Sequence, residues 1–157
     1  MISQGSKLPN ATINQLTAEG MKEHAVTELF ANKKAIVFAV PGAFTPTCSA
    51  AHLPGYITLA DRFQAKGVDL IACISVNDAF VMKAWGDSQN AEHIMMLADG
   101  DASFTKALGL EMETGSFGGV RSQRYAMLIE NGVVTKLNVE EAKSFEVSKA
   151  ETMLAAL

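Results

Sequence analysis

A chain of 157 residues that is 48% hydrophobic suits one compact domain, here residues 1–157, with a real core. Its formal net charge is −4, with acids and bases interspersed, which excludes a nucleic-acid partner, since phosphate binding needs clustered Lys and Arg. No apolar run approaches the roughly 20 residues that cross a bilayer, and the start MISQGSKLPNATINQL lacks a basic region followed by an apolar stretch, so neither membrane nor secretion is expected and the expected location is cytoplasmic.

KAIVFAV (Lys34 to Val40) reads as a buried strand, short, apolar and rich in β-formers. From Thr47 through Lys66 the spacing is helical, with Leu53, Ile57, Ala60 and Phe63 near one face, and Pro54-Gly55 predicts a kink or division. VDLIACISV (Val68 to Val76) is a second buried strand. Asn77 is placed to cap a helix carrying Phe80, Val81, Ala84 and Trp85. Phe80 and Trp85 are expected in a core or an interface, and Met95 and Met96 in packing roles. HIMMLAD predicts a third strand, Ser103 to Leu108 a short helix, and YAMLIENGVVTKLNV a hairpin turning at Asn131-Gly132. The tail SKAETMLAAL predicts a serine-capped helix docked on the core. Strand and helix alternating, then an antiparallel hairpin and a last helix, give an α/β fold: a mixed central sheet with helices on both faces, the layout of thioredoxin-like folds.

The chemistry gathers at PGAFTPTCSA, residues 41–50. Pro41 ends the first strand at its carboxyl end, where ligand sites of parallel α/β sheets collect. Thr45 and Pro46 read as an N-cap and an N1 proline, so Cys48 falls in the first turn of the helix. Free N–H groups and the helix dipole there favour a thiolate, the nucleophilic form, and this reading needs a partly exposed sulfur. The Thr45 hydroxyl is in reach of the sulfur or of a bound substrate oxygen. A buried, inert cysteine near a helix start is the competing reading. Two cysteines make no disulfide framework. Cys48 and Cys73 are too far apart for a zinc knuckle, and His24, His52 and His93 show no ligand spacing, so no metal is expected.

Pro41-x-x-x-Thr45-x-x-Cys48 resembles the peroxidatic motif of peroxiredoxins. VPGAFTPTCSAAHLPGY, CISVNDAFVMKAW, MLADG and RSQRYAMLIENGVV, in that order, resemble the peroxiredoxin-5-like (type II) branch of the AhpC/TSA, or Redoxin, superfamily. The resemblance implies that Cys48 attacks the O–O bond of hydrogen peroxide or a small alkyl hydroperoxide and becomes a sulfenic acid. It gives Thr45 the positioning of the peroxide, Pro41 the shielding of the sulfenic acid, and Arg124 the stabilisation of thiolate and departing oxygen. The N–H groups of Thr47 and Cys48 would complete the cradle by the same analogy. Arg121 is the rival for the arginine role, but it stands outside the apolar strand, and the β position favours Arg124. His52 is read as a packed residue without a catalytic role.

The type II branch implies a homodimer without metal, flavin or haem. Where some members carry a second, resolving cysteine near the C-terminus, this chain has Ser148. Cys73, apolar on both sides, is read as a core residue with a raised pKa. The expected cycle therefore uses one cysteine and an external thiol, glutathione with or without glutaredoxin. Recycling by thioredoxin through a Cys48–Cys73 disulfide is the alternative. A disulfide oxidoreductase lacks its C-x-x-C partner, a cysteine hydrolase needs a histidine base near the thiol, and an inactive thioredoxin-like interaction module is disfavoured by the trio Thr45, Cys48 and Arg124.

Overall fold

The computed structural model describes residues 1–157. The strands are β1 (Thr12–Thr17), β2 (Gly20–Ala25), β3 (Lys34–Ala39), β4 (Leu70–Ser75), β5 (Met95–Ala98), β6 (Glu111–Glu113), β7 (Val120–Ser122), β8 (Tyr125–Glu130) and β9 (Val133–Val139). The helices are α1 (Val26–Leu29), α2 (Leu53–Ala65), α3 (Ala79–Ser88), α4 (Ser103–Leu108) and α5 (Ala150–Ala155). Seven strands form one mixed sheet in the order β2-β1-β5-β4-β3-β8-β9, and β6 and β7 pair separately. β3, β4 and β5 run parallel, while β8 pairs antiparallel with β3 from Lys34↔Glu130 to Ala39↔Tyr125. The expected α/β, thioredoxin-like architecture is thus the observed one.

The central strands are apolar throughout because both faces are covered. Residues of α2, α3 and α5, among them Leu53, Tyr56, Phe63, Met82, Trp85 and Met153, pack with Ile36, Phe38 and Cys73 on one face. Val26 and Leu29 of α1, with Phe104 and Leu108 of α4, pack with Val37, Ile74 and Met127 on the other. The β8–β9 hairpin turns at Asn131 and Gly132, both with positive φ (48° and 76°), the backbone that a two-residue turn between twisted strands requires.

Two local expectations are corrected. Asp78, not Asn77, caps α3, its carboxylate accepting the Val81 N–H at 2.8 Å, while Asn77 Oδ1 instead accepts from Ala43 N and Ser75 Oγ. Lys149, not Ser148, stands at the α5 N-cap, and Ser148 is buried with its hydroxyl given to Glu140. Of the two places expected for Phe80 and Trp85, the core or an interface, Trp85 takes the core, fully buried, while Phe80 is 65% exposed. The division expected near Pro54 is present. A π-helical turn, Cys48–His52, closed by a bond from Leu53 N to the Cys48 carbonyl, precedes α2, so the ring of Pro54 sits at the start of a regular helix where its missing N–H costs nothing.

Candidate active site

The loop after β3 is held before it reaches the cysteine. Ala43 N donates to Asn77 Oδ1 at 3.0 Å, and the Thr45 hydroxyl donates to the Gly42 carbonyl at 2.7 Å. A Cβ on Gly42 would stand 3.2 Å from Thr45 Cγ2, so glycine there lets the threonine fold back on the loop. Phe44 bridges the two anchors with φ +64°, a left-handed backbone that a bulky residue adopts only under constraint. Because Thr45 gives its proton to Gly42, its oxygen is left with only lone pairs to offer. The hydroxyl therefore does not donate to the sulfur.

The first helical hydrogen bond runs from Ser49 N to the Thr45 carbonyl (2.9 Å). The N–H groups of Thr47 and Cys48 precede it and have no partner within the helix, as at any helix start. From the far side α3 pins this turn: Trp85 Nε1 donates to Ser49 Oγ (3.0 Å), and Gln89 Nε2 to the Ser49 carbonyl (3.1 Å).

Arg124, just ahead of β8, is brought here by the β3–β8 pairing, since Ala39 and Tyr125 are register partners. Its Nη2 donates to Cys48 Sγ at 3.1 Å and its Nη1 to His52 Nδ1 at 2.8 Å. Arg121 does not reach the sulfur; it donates to the carbonyls of Gly118 and Val76, tying the β6–β7 hairpin to the loop ahead of α3. Pro41, Thr47 and Arg124 line a cleft of about 600 Å³ with Met112, Gln123 and Phe145. Three residues singled out in the sequence therefore share this cleft, and Arg124 joins it to Cys48. One expectation fails: Cys48 is 0% exposed, not partly exposed. The helix start is packed between α3, β8 and the tail, and the guanidinium lies against the sulfur.

Sequence reasoning set His52 aside, yet it touches Arg124. Its four-residue spacing from Cys48, one helical turn, is the signal that places both on one face. His52 Nε2 donates to the Ser148 carbonyl at 3.1 Å, as does the Tyr56 hydroxyl at 2.7 Å. Burial, and then the charge of Arg124, hold the imidazole neutral, its pKa lowered from 6.5 to about 3, against the opposing pull of Ser148 and Glu140. Burial pushes the Glu140 carboxyl up, but hydrogen bonds from Ser148, Glu146 and Val147 outweigh it and hold the group below its ordinary value. Cys73 is pushed well up, chiefly by burial and then by Cys48, with Arg124 opposing.

These shifts make the fold acid-sensitive. Between about pH 6.5 and 3 the unfolded chain binds a proton at His52 that the folded chain refuses. This contribution is complete above pH 6.5 and declines as pH falls, by about 1.4 kcal/mol per unit. Glu140 adds a loss of the same sign below its unfolded pKa, about 4.3. Urea midpoints should hold steady from pH 8 to 7 and fall from pH 6 to 4, with a shallower fall in His52→Asn. A flat wild-type profile down to pH 4 would contradict the buried neutral imidazole.

The Redoxin family profile matches residues 3–154. The chain is 53% identical over 163 residues to chloroplastic peroxiredoxin-2E-2 of Oryza sativa subsp. japonica, covering 99% of this chain and 72% of the relative. Its fold superposes on reduced Prx3 of Vibrio vulnificus, solved in complex with H2O2, with a TM-score of 0.98 and 76% identity over 99% of both chains. On peroxiredoxin 5 from Alvinella pompejana the TM-score is 0.88, at 36% identity, covering 99% of this chain and 97% of that one. A cysteine opening a helix under an arginine, on a thioredoxin-like sheet, has in these relatives a shared frame from end to end, and the chain belongs to the Redoxin family as a peroxiredoxin-5-like peroxiredoxin, a thiol peroxidase.

Proposed function

We propose that Cys48 is the peroxidatic thiol, working in a one-cysteine cycle completed by glutathione, with or without glutaredoxin. The observation that carries the assignment is the 3.1 Å contact from Arg124 Nη2 to Cys48 Sγ in the first turn of the helix. The Cys48 thiolate attacks one oxygen of the hydroperoxide; an S–O bond forms and O–O breaks. Sulfur is oxidised to the sulfenic acid, and the departing oxygen takes a proton to leave as water or an alcohol. Arg124 stabilises charge on that oxygen. The Thr45 oxygen accepts from the hydroperoxide O–H, and the Thr47 and Cys48 N–H groups, free of partners within the helix, complete the cradle. Pro41 walls the sulfur from the cleft. One glutathione then displaces water from the sulfenic acid to give a mixed disulfide, and a second releases Cys48 as the thiol, leaving glutathione disulfide. The sulfur carries both electrons, so this cycle needs no metal or organic cofactor, and the cytoplasm is the compartment proposed for it.

Intact mass after one equivalent of hydrogen peroxide, with and without glutathione, tests the cycle. Oxygen or glutathione on Cys48 with Cys73 free is the expected result. The competing cycle draws support from the two thiols facing the same core, and a Cys48–Cys73 disulfide reduced by thioredoxin would establish it. Cys73→Ser, in contrast, should keep glutathione-dependent turnover within about twofold of wild type, because a buried thiol of raised pKa attacks slowly. Loss of turnover in that variant, with its melting temperature unchanged, would sink the one-cysteine cycle.

A homodimer is proposed as well. Phe44, Phe80 and Phe117 are exposed, and their segments meet around residues 76–77 through the Ala43–Asn77 and Arg121–Val76 bonds. Light scattering at micromolar concentration should give twice the chain mass; a monomer would contradict it.

A further inference from the structure

We propose that Glu140 is a positioning residue of the peroxidase site, holding Arg124 against Cys48 through Ser148 and His52. The proposal rests on the reading of Cys48 and Arg124 above, and adds to it residues that make no hydrogen bond to the sulfur, of which Glu140 also lines the cleft.

One oxygen, Glu140 Oε2, accepts from three donors: Glu146 N (2.8 Å), Ser148 N (2.8 Å) and Ser148 Oγ (2.7 Å). Residues 146–148 form no helix or strand, so the carboxylate supplies the hydrogen bonding that a ladder would otherwise give. It fixes this turn and leaves the Ser148 carbonyl facing inwards. That carbonyl has two lone pairs, and both are used, by His52 Nε2 (3.1 Å) and the Tyr56 hydroxyl (2.7 Å). Donating from Nε2 sets the tautomer of His52 and leaves Nδ1 bare. A bare Nδ1 can accept from Arg124 Nη1 at 2.8 Å, and Nη2 of the same planar group then points at Cys48 Sγ. The backbone closes the circuit, since Glu140 N donates to the Arg124 carbonyl at 2.9 Å. Phe145, from the segment that Glu140 clasps, packs on both partners, 5.0 Å from the His52 ring and 5.8 Å from Arg124 Cζ.

Each link constrains the next. A guanidinium on a flexible stem has many orientations, and only one gives a donor to the sulfur while satisfying the imidazole. Serine at position 148, where self-resolving relatives are expected to carry cysteine, is on this view a fastening for Arg124: its hydroxyl and its N–H both go to Glu140.

The test is the single-turnover rate with hydrogen peroxide, followed by the fluorescence of Trp85, which hydrogen-bonds the residue after Cys48. Glu140→Ala and His52→Ala should each slow the reaction about tenfold, the scale of a misplaced catalytic group. Glu140→Gln, which keeps an accepting oxygen, should retain most of the rate, and so separates positioning from a need for charge or a failure to fold. The deciding measurement places Glu140→Ala and His52→Ala in an Arg124→Ala background, where neither should slow the reaction further, because the relay acts only through the guanidinium. Equal losses with and without Arg124, or wild-type rates in both single variants, would overturn the relay and leave the role of Arg124 standing. Full activity of Arg124→Ala itself would overturn both.

Discussion

Cys48→Ser yields a folded protein whose consumption of hydrogen peroxide, with glutathione in excess, falls by at least about a thousandfold. The substitution changes one atom at a site with no solvent contact, so packing is nearly conserved. Arg124 keeps an acceptor for Nη2, His52 keeps Arg124, and the melting temperature should move by only a few degrees. The loss is chemical: a serine hydroxyl is not ionised at neutral pH, and its oxygen cannot take up oxygen from a peroxide as sulfur does. Intact mass after peroxide treatment should show no added oxygen at position 48. Residual turnover above a few percent, with oxygen mapped to Cys73, would move the chemistry to the other thiol.

Arg124→Met carries the second largest effect. It keeps an unbranched stem of comparable flexibility and removes the donors to both Cys48 Sγ and His52 Nδ1. The rate with hydrogen peroxide should fall by about 10²–10³, the value of one well-placed donor to a developing oxyanion in a dry site. Arg124→Lys keeps the positive charge, but an ammonium cannot span the sulfur and the imidazole as a planar fork does, so an intermediate rate is expected. Stopped-flow rates under single-turnover conditions separate these cases from slow recycling. Stability should not follow activity, since removing a half-buried charge can offset the hydrogen bonds it made. An Arg124→Met protein as fast as wild type would leave the 3.1 Å contact a packing accident. Arg121→Met is the control: its donors serve Val76 and Gly118, and its loss should affect the hairpin without matching the Arg124 defect.

How well the sequence announces its structure depends on where each signal resides. β3, β4 and β8 are legible because burial on both faces makes them continuous apolar runs, as in KAIVFA and LIACIS. The β1–β2 hairpin is not. TINQLT and GMKEHA show neither alternation nor a β-rich run, because β2 is an edge strand whose first four residues are exposed. Its Lys22 and Glu23 protect an open edge and erase the pattern that would have revealed it. At the site, Thr45, Cys48 and Arg124 are legible because the proposed chemistry is carried by their side chains, and Pro41 and Thr47 because they stand in the same short motif. Ser148 contributes to His52 through a backbone carbonyl, which any residue type possesses, so no sequence letter marks it. Glu140 reads as one acid among several until the fold shows its three donors. The exposure of Cys48 is hidden from the sequence for a similar reason: it depends on α3, β8 and the tail, not on the turn that contains it.

The pairing of Ala39 with Tyr125 bears on the life of the chain before it is complete. Cys48 belongs to the first third of the sequence and Arg124 to the last, and only closure of this long-range antiparallel ladder unites them. Pairings between segments so distant in sequence form late, because loop closure must precede any gain from contact. During synthesis the thiol emerges long before the guanidinium that, on the proposed reading, readies it, and before the tail that seals it. A nascent or half-folded molecule thus carries a cysteine with no partner to sharpen its appetite for oxidant. On that reading, reactivity is withheld until the chain has folded well enough to use it, so the pairing that closes β8 onto β3 also arms the enzyme.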